Sequence, residues 1–292
     1  MAVGSTRESG MAGVFSFLGG LFARQPREIP PPTERVQAIL DRIHAEARPC
    51  LHLVPGGAGQ TRFGGAPEIA GDWPRFDGRP MAHLSRMDLA EIRAAGGPDW
   101  LPADGRLHVF LDMGARAQDF EPEQPGAGVV RWETDEVAPL DPPEDLAPRS
   151  RIAPFPLAFQ PRTSFADERV GIDWKRLTRD EERTLDAAIL GFLSPEPAHQ
   201  VGGYPGNLQG DFMEIECAVA AARGGDLRKV GDDDPTPAEL EAARDWRLLL
   251  QVDSDPGAGF DWVQGGRLFF WVREADARAG DFSRVFVIAQ FL

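Results

Sequence analysis

The polar residues that could form a binding site stand near the ends of repeated strands. They are Gln209, Asp211, Gln251, Asp253 and Trp262. Amide, carboxylate and indole groups of this kind orient a small ligand or substrate, and here they would line a pocket between two halves of the chain. Similar groups also satisfy backbone donors and acceptors in turns. We expect these five residues to bind a ligand or a partner, and the role in turns is the competing interpretation.

The five histidines have no spacing typical of a metal site. They are His44, His52, His83, His108 and His199. His83 and His108 lie on predicted strands, and either one beside Asp88 would resemble an acid–base pair. A surface or core position is the favoured interpretation for both. Cys50 and Cys217 have no neighbouring histidine that would activate a thiolate, so we predict no catalytic residues.

Two loops lack the residues that ligand-binding motifs require. The glycine-rich stretch 56–61 has no lysine for a phosphate-binding loop, and Arg62 replaces the third glycine of a dinucleotide-binding loop. Asp253, Asp255 and Asp261 lack the remaining ligands of an EF-hand. An irregular cation site on these aspartates stays open beside the favoured role of capping a Pro-Gly hairpin. We predict no metal and no cofactor.

The acidic composition argues against a nucleic-acid partner. The 292 residues carry a formal net charge of −15, so the mean field would repel a phosphate backbone. A basic protein partner would instead be attracted, and would associate faster. The presence of only two cysteines is typical of a reducing cytoplasm. No apolar run reaches the roughly 20 residues of a membrane-spanning helix.

An apolar segment precedes the folded body. Residues 14–23 have the length of a signal-peptide core, but Arg24 follows where the small residues of a cleavage site would stand. We predict that residues 1–28 form a flexible apolar tail. It would pack on the body or touch a membrane surface through residues 11–24. Consecutive prolines at 30–32 separate it from the body.

Hydrophobic periodicity predicts a chain rich in strands. We expect strands at 50–54, 81–87, 107–112, 129–134, 246–252, 267–272 and 284–290. We expect helices at 34–47, 180–193 and 236–244. The stretch 212–222 fits either element, and the proline-rich stretch 137–157 is predicted to be an extended connector. Because strands dominate and do not alternate with helices, the predicted fold class is mainly β to α+β.

Three sequence blocks occur twice in the same order. The first set is 64–67 (GGAP), 84–88 (LSRMD) and 105–110 (GRLHVF), and the second is 202–205 (GGYP), 249–253 (LLQVD) and 266–271 (GRLFFW). Such repetition suggests the duplication of one supersecondary unit. We predict one domain over residues 29–292, with internal repeats at about 50–136 and 200–292.

Aromatic residues are concentrated around the last hairpin of the second repeat. Phe269 and Trp271 share one face of a strand, and Phe270 takes the other. One aromatic face would build the core. The other must be covered by a helix or a partner, or else would form a binding groove.

These blocks resemble the DUF1963 or YwqG-like family. The motifs are GGAP at 64–67, Trp73-Pro74, LLQVD at 249–253, GRLFF at 266–270 and Asp281-Phe282-Ser283, and the resemblance covers about residues 50–292. It implies a β roll of two intertwined, duplicated halves with a few short helices, in a bacterial cytoplasmic protein. It implies no activity, although some such proteins are encoded near secreted-toxin systems. Arg86 departs from the family pattern, which has glutamine there.

Two functions remain in competition. The first is a non-catalytic module that binds another protein, in an immunity- or antitoxin-like role that the family resemblance suggests. The second is an enzyme or a small-ligand-binding protein with a pocket between the two repeats. The lack of a coherent catalytic constellation favours the first.

Overall fold

The computed structural model describes residues 29–166, 172–192, 195–210, 212–231, 233–262 and 265–292. The predicted tail at residues 1–28, with its membrane contact at 11–24, lies outside the described residues. The predicted site residue Asp211 also lies outside them.

The described chain is rich in antiparallel strands. They are β1 (Arg48–Pro55), β2 (Arg62–Phe63), β3 (Arg75–Phe76), β4 (Arg79–Pro80), β5 (Ala82–Asp88), β6 (Arg106–Leu111), β7 (Gly128–Glu133), β8 (Phe155–Ser164), β9 (Gln200–Val201), β10 (Trp246–Asp253), β11 (Arg267–Arg273) and β12 (Phe286–Gln290). Ten of these form one sheet in the order β12-β11-β10-β9-β1-β8-β2-β5-β6-β7, and β3 and β4 form a separate ribbon. The predicted fold class, mainly β to α+β, is confirmed.

The strand order is the same on both sides of the central pair β1 and β8. Moving outwards, β9, β10, β11 and β12 follow β1, whereas β2, β5, β6 and β7 follow β8. Strand β1 precedes β2–β7 in the sequence but pairs with β9, and β8 precedes β9–β12 but pairs with β2. The two halves are therefore intertwined. The strand register slips between His83 and Ser85 in one half, and at the corresponding place between Leu248 and Leu250 in the other.

The sheet curls so that its two edge strands approach each other. A Cβ placed on Gly128 of β7 would overlap the Val287 side chain of β12, and only glycine permits this close approach. Ala289 N of β12 donates to Glu123 Oε1, just before β7, at 2.8 Å. The interior holds an apolar core drawn from both halves, including Leu51, Leu84, Val109, Leu250 and Phe270.

Short helices pack around the sheet. They are α1 (Glu34–Ala45), α2 (Leu89–Ala94), α3 (Arg179–Phe192), α4 (Met213–Ala222), α5 (Pro237–Ala242) and α6 (Glu274–Arg278). Helix α4 covers the outer face of the sheet, whereas α2 and α6 bury Leu89, Ile92 and Ala277 in the interior core. Thr33 caps α1, because its hydroxyl accepts a hydrogen bond from Val36 N. The ambiguous stretch 212–222 forms α4, whose Met213 packs on the outer face of β10 and β11.

This arrangement separates the aromatic residues of β11 as their alternation predicts. Phe269 and Trp271 lie on the outer face beneath α4, whereas Phe270 points into the interior core. A helix therefore covers the second aromatic face. No open aromatic groove remains on this strand.

The predicted connector 137–157 runs into strand β8, which the sequence pattern did not predict because the segment is rich in proline. Strand β8 carries Pro156 and Pro161 near the centre of the sheet, where proline is rare. It pairs with β1 along its length but meets β2 only at Phe155 and Pro156. Beyond Pro156 the other edge of β8 has no strand partner among the described residues, so Pro161 costs no ladder hydrogen bond there.

Candidate functional site

The repeated blocks occupy matching places in the two halves of the sheet. Asp88 lies opposite Arg106 across β5 and β6, and Asp253 lies opposite Arg267 across β10 and β11. The neighbouring strands agree as well, because β2 pairs with β5 where β9 pairs with β10. The outer faces of the two halves can therefore be compared residue by residue.

Gln251 is fully buried and holds a loop of the second half. Its Nε2 donates to Ala198 O, and its Oε1 accepts from Gly206 N at 2.8 Å. A Cβ on Gly206 would lie 2.9 Å from Arg267 Nη1 and 3.3 Å from Gln251 Nε2. The loop thus lies directly on these two side chains, and only a glycine fits at residue 206 without displacing them.

Asp253 ties the end of β10 to its surroundings. Its carboxylate accepts from Ala198 N at 2.7 Å and from Ser254 N at 3.0 Å. The Arg267 Nε of β11 lies 3.0 Å from the same carboxylate. Trp262 joins this group, because its indole Nε1 donates to Asp253 O at 3.0 Å. The partners of the Asp253 carboxylate are thus two backbone amides and the Arg267 guanidinium, and all three belong to the fold itself.

Gln209 lies at the surface of the loop that Gln251 holds. The side chain of Gln290 on β12 fixes this loop through bonds from Leu208 N at 2.7 Å and Gln209 N at 3.1 Å. It also donates to Gly210 O at 3.2 Å. The structure thus links Gln251 to the loop that carries Gln209, and Asp253 to Trp262. Ligand or partner binding by these residues stays a prediction.

The first half builds the corresponding contact from an ion pair. Glu68 stands at the place of Gly206, and Arg86 stands at the place of Gln251. Arg86 Nε donates to Glu68 Oε2 at 2.9 Å, and Arg106 Nε lies 3.6 Å from the same oxygen. Relative to the second half, Arg86 in place of Gln251 is therefore accompanied by Glu68 in place of Gly206.

His83 and His108 form a buried pair on the same outer face. His83 Nε2 lies 3.0 Å from His108 Nδ1, and His83 Nδ1 lies 2.9 Å from Gly65 O. Burial lowers the pKa of His83 to about 4, and burial together with the neighbouring His83 lowers the pKa of His108 to about 2. Both rings are neutral at neutral pH. Asp88 pairs with neither ring but caps α2 by accepting from Glu91 N at 3.1 Å.

His199 is a buried polar residue that spacing did not single out. Its Nδ1 accepts from Asp253 N at 3.0 Å, and its Nε2 lies 3.3 Å from Asp255 Oδ2. Burial lowers its pKa, so the ring is neutral with both nitrogens engaged. In the first half, Thr61 takes this place by accepting from Asp88 N at 3.1 Å and donating to Glu91 at 2.7 Å. The sequence could have indicated His199 through its position in the repeat. His199 and Thr61 each stand directly before a two-residue strand that a Gly-Gly pair follows.

An open groove lies where α4 and α5 meet the start of β10. It has a volume of about 530 Å³. Its apolar residues include Phe212, Leu240 and Trp246, and its charged residues are Glu46, Arg48, Glu214, Arg244 and Arg247. The Phe212 side chain is 66% exposed and that of Leu240 43%. We call this surface the α4–α5 groove.

Residues 61–290 match the sequence profile of a family described as a domain of unknown function, DUF1963. The chain belongs to the DUF1963 family. No curated protein matches the chain. The DUF1963 match begins after α1 and β1, so it contains Phe212 and Leu240 of the groove but not Glu46 or Arg48.

The cysteines of this DUF1963 protein are not poised as nucleophiles. Cys50 and Cys217 are both buried free thiols. Burial raises the pKa of the Cys50 thiol, and it raises that of Cys217 well above its usual range. A thiol with a raised pKa stays protonated and unreactive at neutral pH.

The described residues contain no group of three or more His, Cys, Asp or Glu side chains arranged to hold a metal ion. At the predicted aspartate cluster, the Asp253 carboxylate already binds Arg267 and backbone amides. Asp255 accepts from Gly257 N at 2.8 Å and faces His199. Within the same part of the chain, every helix is too short or too polar to cross a membrane.

Proposed function

We propose that this DUF1963 protein is a non-catalytic module that binds another protein in the α4–α5 groove. The observation that carries the proposal is the exposure of Phe212 and Leu240 beside a concave surface. Most large apolar side chains of the described chain are buried, and the exposed ones are Ile29, Trp174, Leu190, Phe212, Leu240 and Leu292. Apolar side chains grouped at one surface are typical of a docking site.

The loop before α4 favours this role because it is held in place. Gln251, Arg267 and Gln290 bind the backbone of residues 206–210, and Phe212 stands two residues farther on, where its carbonyl accepts from Glu216 N of α4. An apolar side chain on a fixed backbone loses little conformational entropy on binding. Under this proposal Gln251 and Asp253 act behind the surface as positioning residues. Gln209 and Asp211, which stand three residues and one residue before Phe212 in the sequence, contribute polar contacts to the partner.

The buried polar groups support a function without catalysis. His83, His108 and His199 are neutral and engaged with structural partners. The two thiols are held protonated by burial. The protonated thiols therefore lack the charge of a nucleophile, and both ring nitrogens of His83 and of His199 are engaged. His108 keeps an unpartnered Nε2 among the described residues, but a pKa of about 2 makes it a weak base.

The charge of the chain favours a basic partner in the cytoplasm. The formal net charge of −15 would speed the encounter with a positively charged protein, and two free thiols suit a reducing compartment. An immunity- or antitoxin-like role is the specific form of this function that the family context suggests.

Co-purification from the native host tests the proposal. The full chain is compared with a Phe212→Ser/Leu240→Ser variant and with Leu190→Ser, a control on α3 whose side chain is 66% exposed. We expect a partner that binds the wild type and the control. With that partner purified, the double variant should bind at least tenfold more weakly, and the association rate should fall as salt rises. Equal affinity of the double variant and the control would overturn the proposal.

A further inference from the structure

A second cavity lies at the seam where the two edges of the sheet approach each other. It has a volume of about 300 Å³ and is lined by the segment before β7, the turn after α4, the end of β11 and the start of β12. The residues that matter are Glu123, Trp246, Arg273, Arg284 and Phe286. We call it the seam cleft. Its volume is at the lower end of the range for small-molecule sites, so it suits a ligand of one or two rings.

The wall of the seam cleft is aromatic. Trp246 stacks on Phe286 with ring centroids 5.2 Å apart and an interplanar angle of 21°. The Arg273 guanidinium lies over the Trp246 ring, 5.4 Å from its centroid. Trp246 is buried and Phe286 half-buried, so a planar apolar ring that enters the cleft would meet the Phe286 ring and the edge of Trp246, in stacked or edge-on contact.

Donors without acceptors adjoin this wall. Trp246 is 2% exposed, and its indole Nε1 has no hydrogen-bond partner in the part of the chain that the structure describes. Arg273 forms no ion pair with any described residue, and its guanidinium lies over the Trp246 ring. A buried N–H without an acceptor is unfavourable, so a ligand that brings an acceptor gains by supplying one.

The charges around the cleft favour an anion. Arg284 also lines it, and its nearest carboxylate oxygen, Asp276 Oδ1, is 3.5 Å away. The acidic group of the lining is Glu123, whose Oε1 accepts from Ala289 N and whose pKa is raised by burial. The cleft is thus lined by two guanidiniums and by one carboxyl group that is already engaged. Guanidinium groups bind carboxylates through paired N–H donors.

We propose that the seam cleft binds a small aromatic carboxylate. The ring packs on Phe286 and against the edge of Trp246, the carboxylate pairs with Arg273, and the indole Nε1–H of Trp246 donates to a ligand oxygen. This site is separate from the α4–α5 groove in everything except Trp246, which lies between the two surfaces. The proposal therefore stands or falls independently of the protein partner.

The test uses benzoate and the side-chain indole N–H resonances of the full-length protein. The Trp246 resonance is assigned as the one that is lost in Trp246→Phe. We expect benzoate to shift it, with a dissociation constant of about 1 mM or tighter. Benzamide, which has the same shape without the charge, should bind at least tenfold more weakly.

Variants that each remove one positive charge distinguish a direct contact between Arg273 and benzoate from the effect of the net charge of the protein. Arg273→Gln should weaken benzoate binding at least tenfold, whereas Arg93→Gln, an exposed residue of α2, should leave it within twofold of wild type. Arg273→Lys, which keeps the charge over Trp246, should fall between them and guards against misfolding of the glutamine variant. The proposal fails if benzoate leaves the Trp246 resonance unmoved, if benzamide binds equally well, or if the Arg93 and Arg273 variants behave alike.

Discussion

Arg86 Nε lies 2.9 Å from Glu68 Oε2, and this ion pair occupies the place where Gln251 binds the backbone of Gly206 in the other half. The ion pair and the Gln251–Gly206 hydrogen bond each attach the segment after a Gly-Gly pair to the outer face of the sheet. In one half a carboxylate side chain reaches the sheet. In the other the backbone itself does, because glycine lets it approach.

Arg86→Gln should therefore destabilise the protein, and Glu68→Gly should partly compensate. The single change leaves the half-buried Glu68 carboxylate without its closest partner, which we expect to lower the free energy of unfolding by about 2–3 kcal/mol. The double variant reproduces the Gln-Gly combination of the second half and should recover at least about 1 kcal/mol. Urea unfolding of the two single variants and the double variant measures the coupling free energy between residues 86 and 68. Strictly additive changes in the free energy of unfolding would contradict the equivalence of Arg86–Glu68 with Gln251–Gly206.

Gly128→Ala should push apart the edges of the sheet. The added Cβ would overlap Val287, and overpacking of this kind costs about 1–3 kcal/mol. Gly128→Ala combined with Val287→Ala should be less destabilised than the sum of the two changes predicts. Gly191→Ala on α3 is the control, because a Cβ there meets no atom within 4 Å and alanine favours a helix. Thermal or urea unfolding measures the stability of each variant. An equal loss of stability in Gly128→Ala and Gly191→Ala would rule out close contact between residue 128 and Val287.

The histidine pair should make stability depend on pH between about 7 and 4. The folded pKa values of His83 and His108, about 4 and about 2, lie below the ordinary value of 6.5. The unfolded chain therefore binds more protons in this window, and stability falls as pH falls, by on the order of 1–2 kcal/mol per histidine between pH 7 and pH 5.

A variant with the residues of the other half tests this dependence. His83→Leu/His108→Phe introduces the types found at Leu248 and Phe269. Its unfolding free energy should change less between pH 7 and pH 5 than that of the wild type. The buried His199 keeps part of the slope, since its pKa is also lowered. A slope equal to the wild type would show that the pair titrates normally.

Gln290→Ala should release the loop that leads to Phe212. The substitution removes the acceptor of Leu208 N and Gln209 N, and a loss of about 1–2 kcal/mol in stability follows from the unmade hydrogen bonds. Amide hydrogen exchange at residues 208 and 209 should accelerate more than at Leu53, whose amide donates to His199 O within the sheet. Under the proposed function, partner affinity falls as well. Unchanged exchange at 208 and 209 would mean that other contacts hold the loop.

Local sequence pattern predicted most elements because their signals are short-range. Helix α1 begins at Glu34 as predicted, because Val36, Ile39 and Ile43 recur at helical spacing and are buried on one face. The alternation of Phe269, Phe270 and Trp271 predicted their faces correctly. Strand β8 was missed, because its prolines are acceptable only where a neighbouring strand is absent, and absence of a neighbour is not a local property.

The candidate site shows the limit of the sequence more sharply. It identified Gln251, Asp253 and Trp262 as polar groups near strand ends, but their partners Ala198 and Gly206 come from distant parts of the chain. The α4–α5 groove and the seam cleft each combine segments that are far apart in sequence. No periodicity marks either surface.

The sequence by itself determined the β-rich class and the faces of β11, since each depends on residues within a few positions of one another. It also showed the repeated blocks of the two halves, because short motifs can be compared without knowledge of the fold. Only the tertiary structure decided that β1 pairs with β9, that Glu68 meets Arg86 and that Trp246 borders two cavities. These relationships depend on long-range strand register. The register is set by the whole core at once, so a buried polar side chain acquires its partner only when the sheet closes.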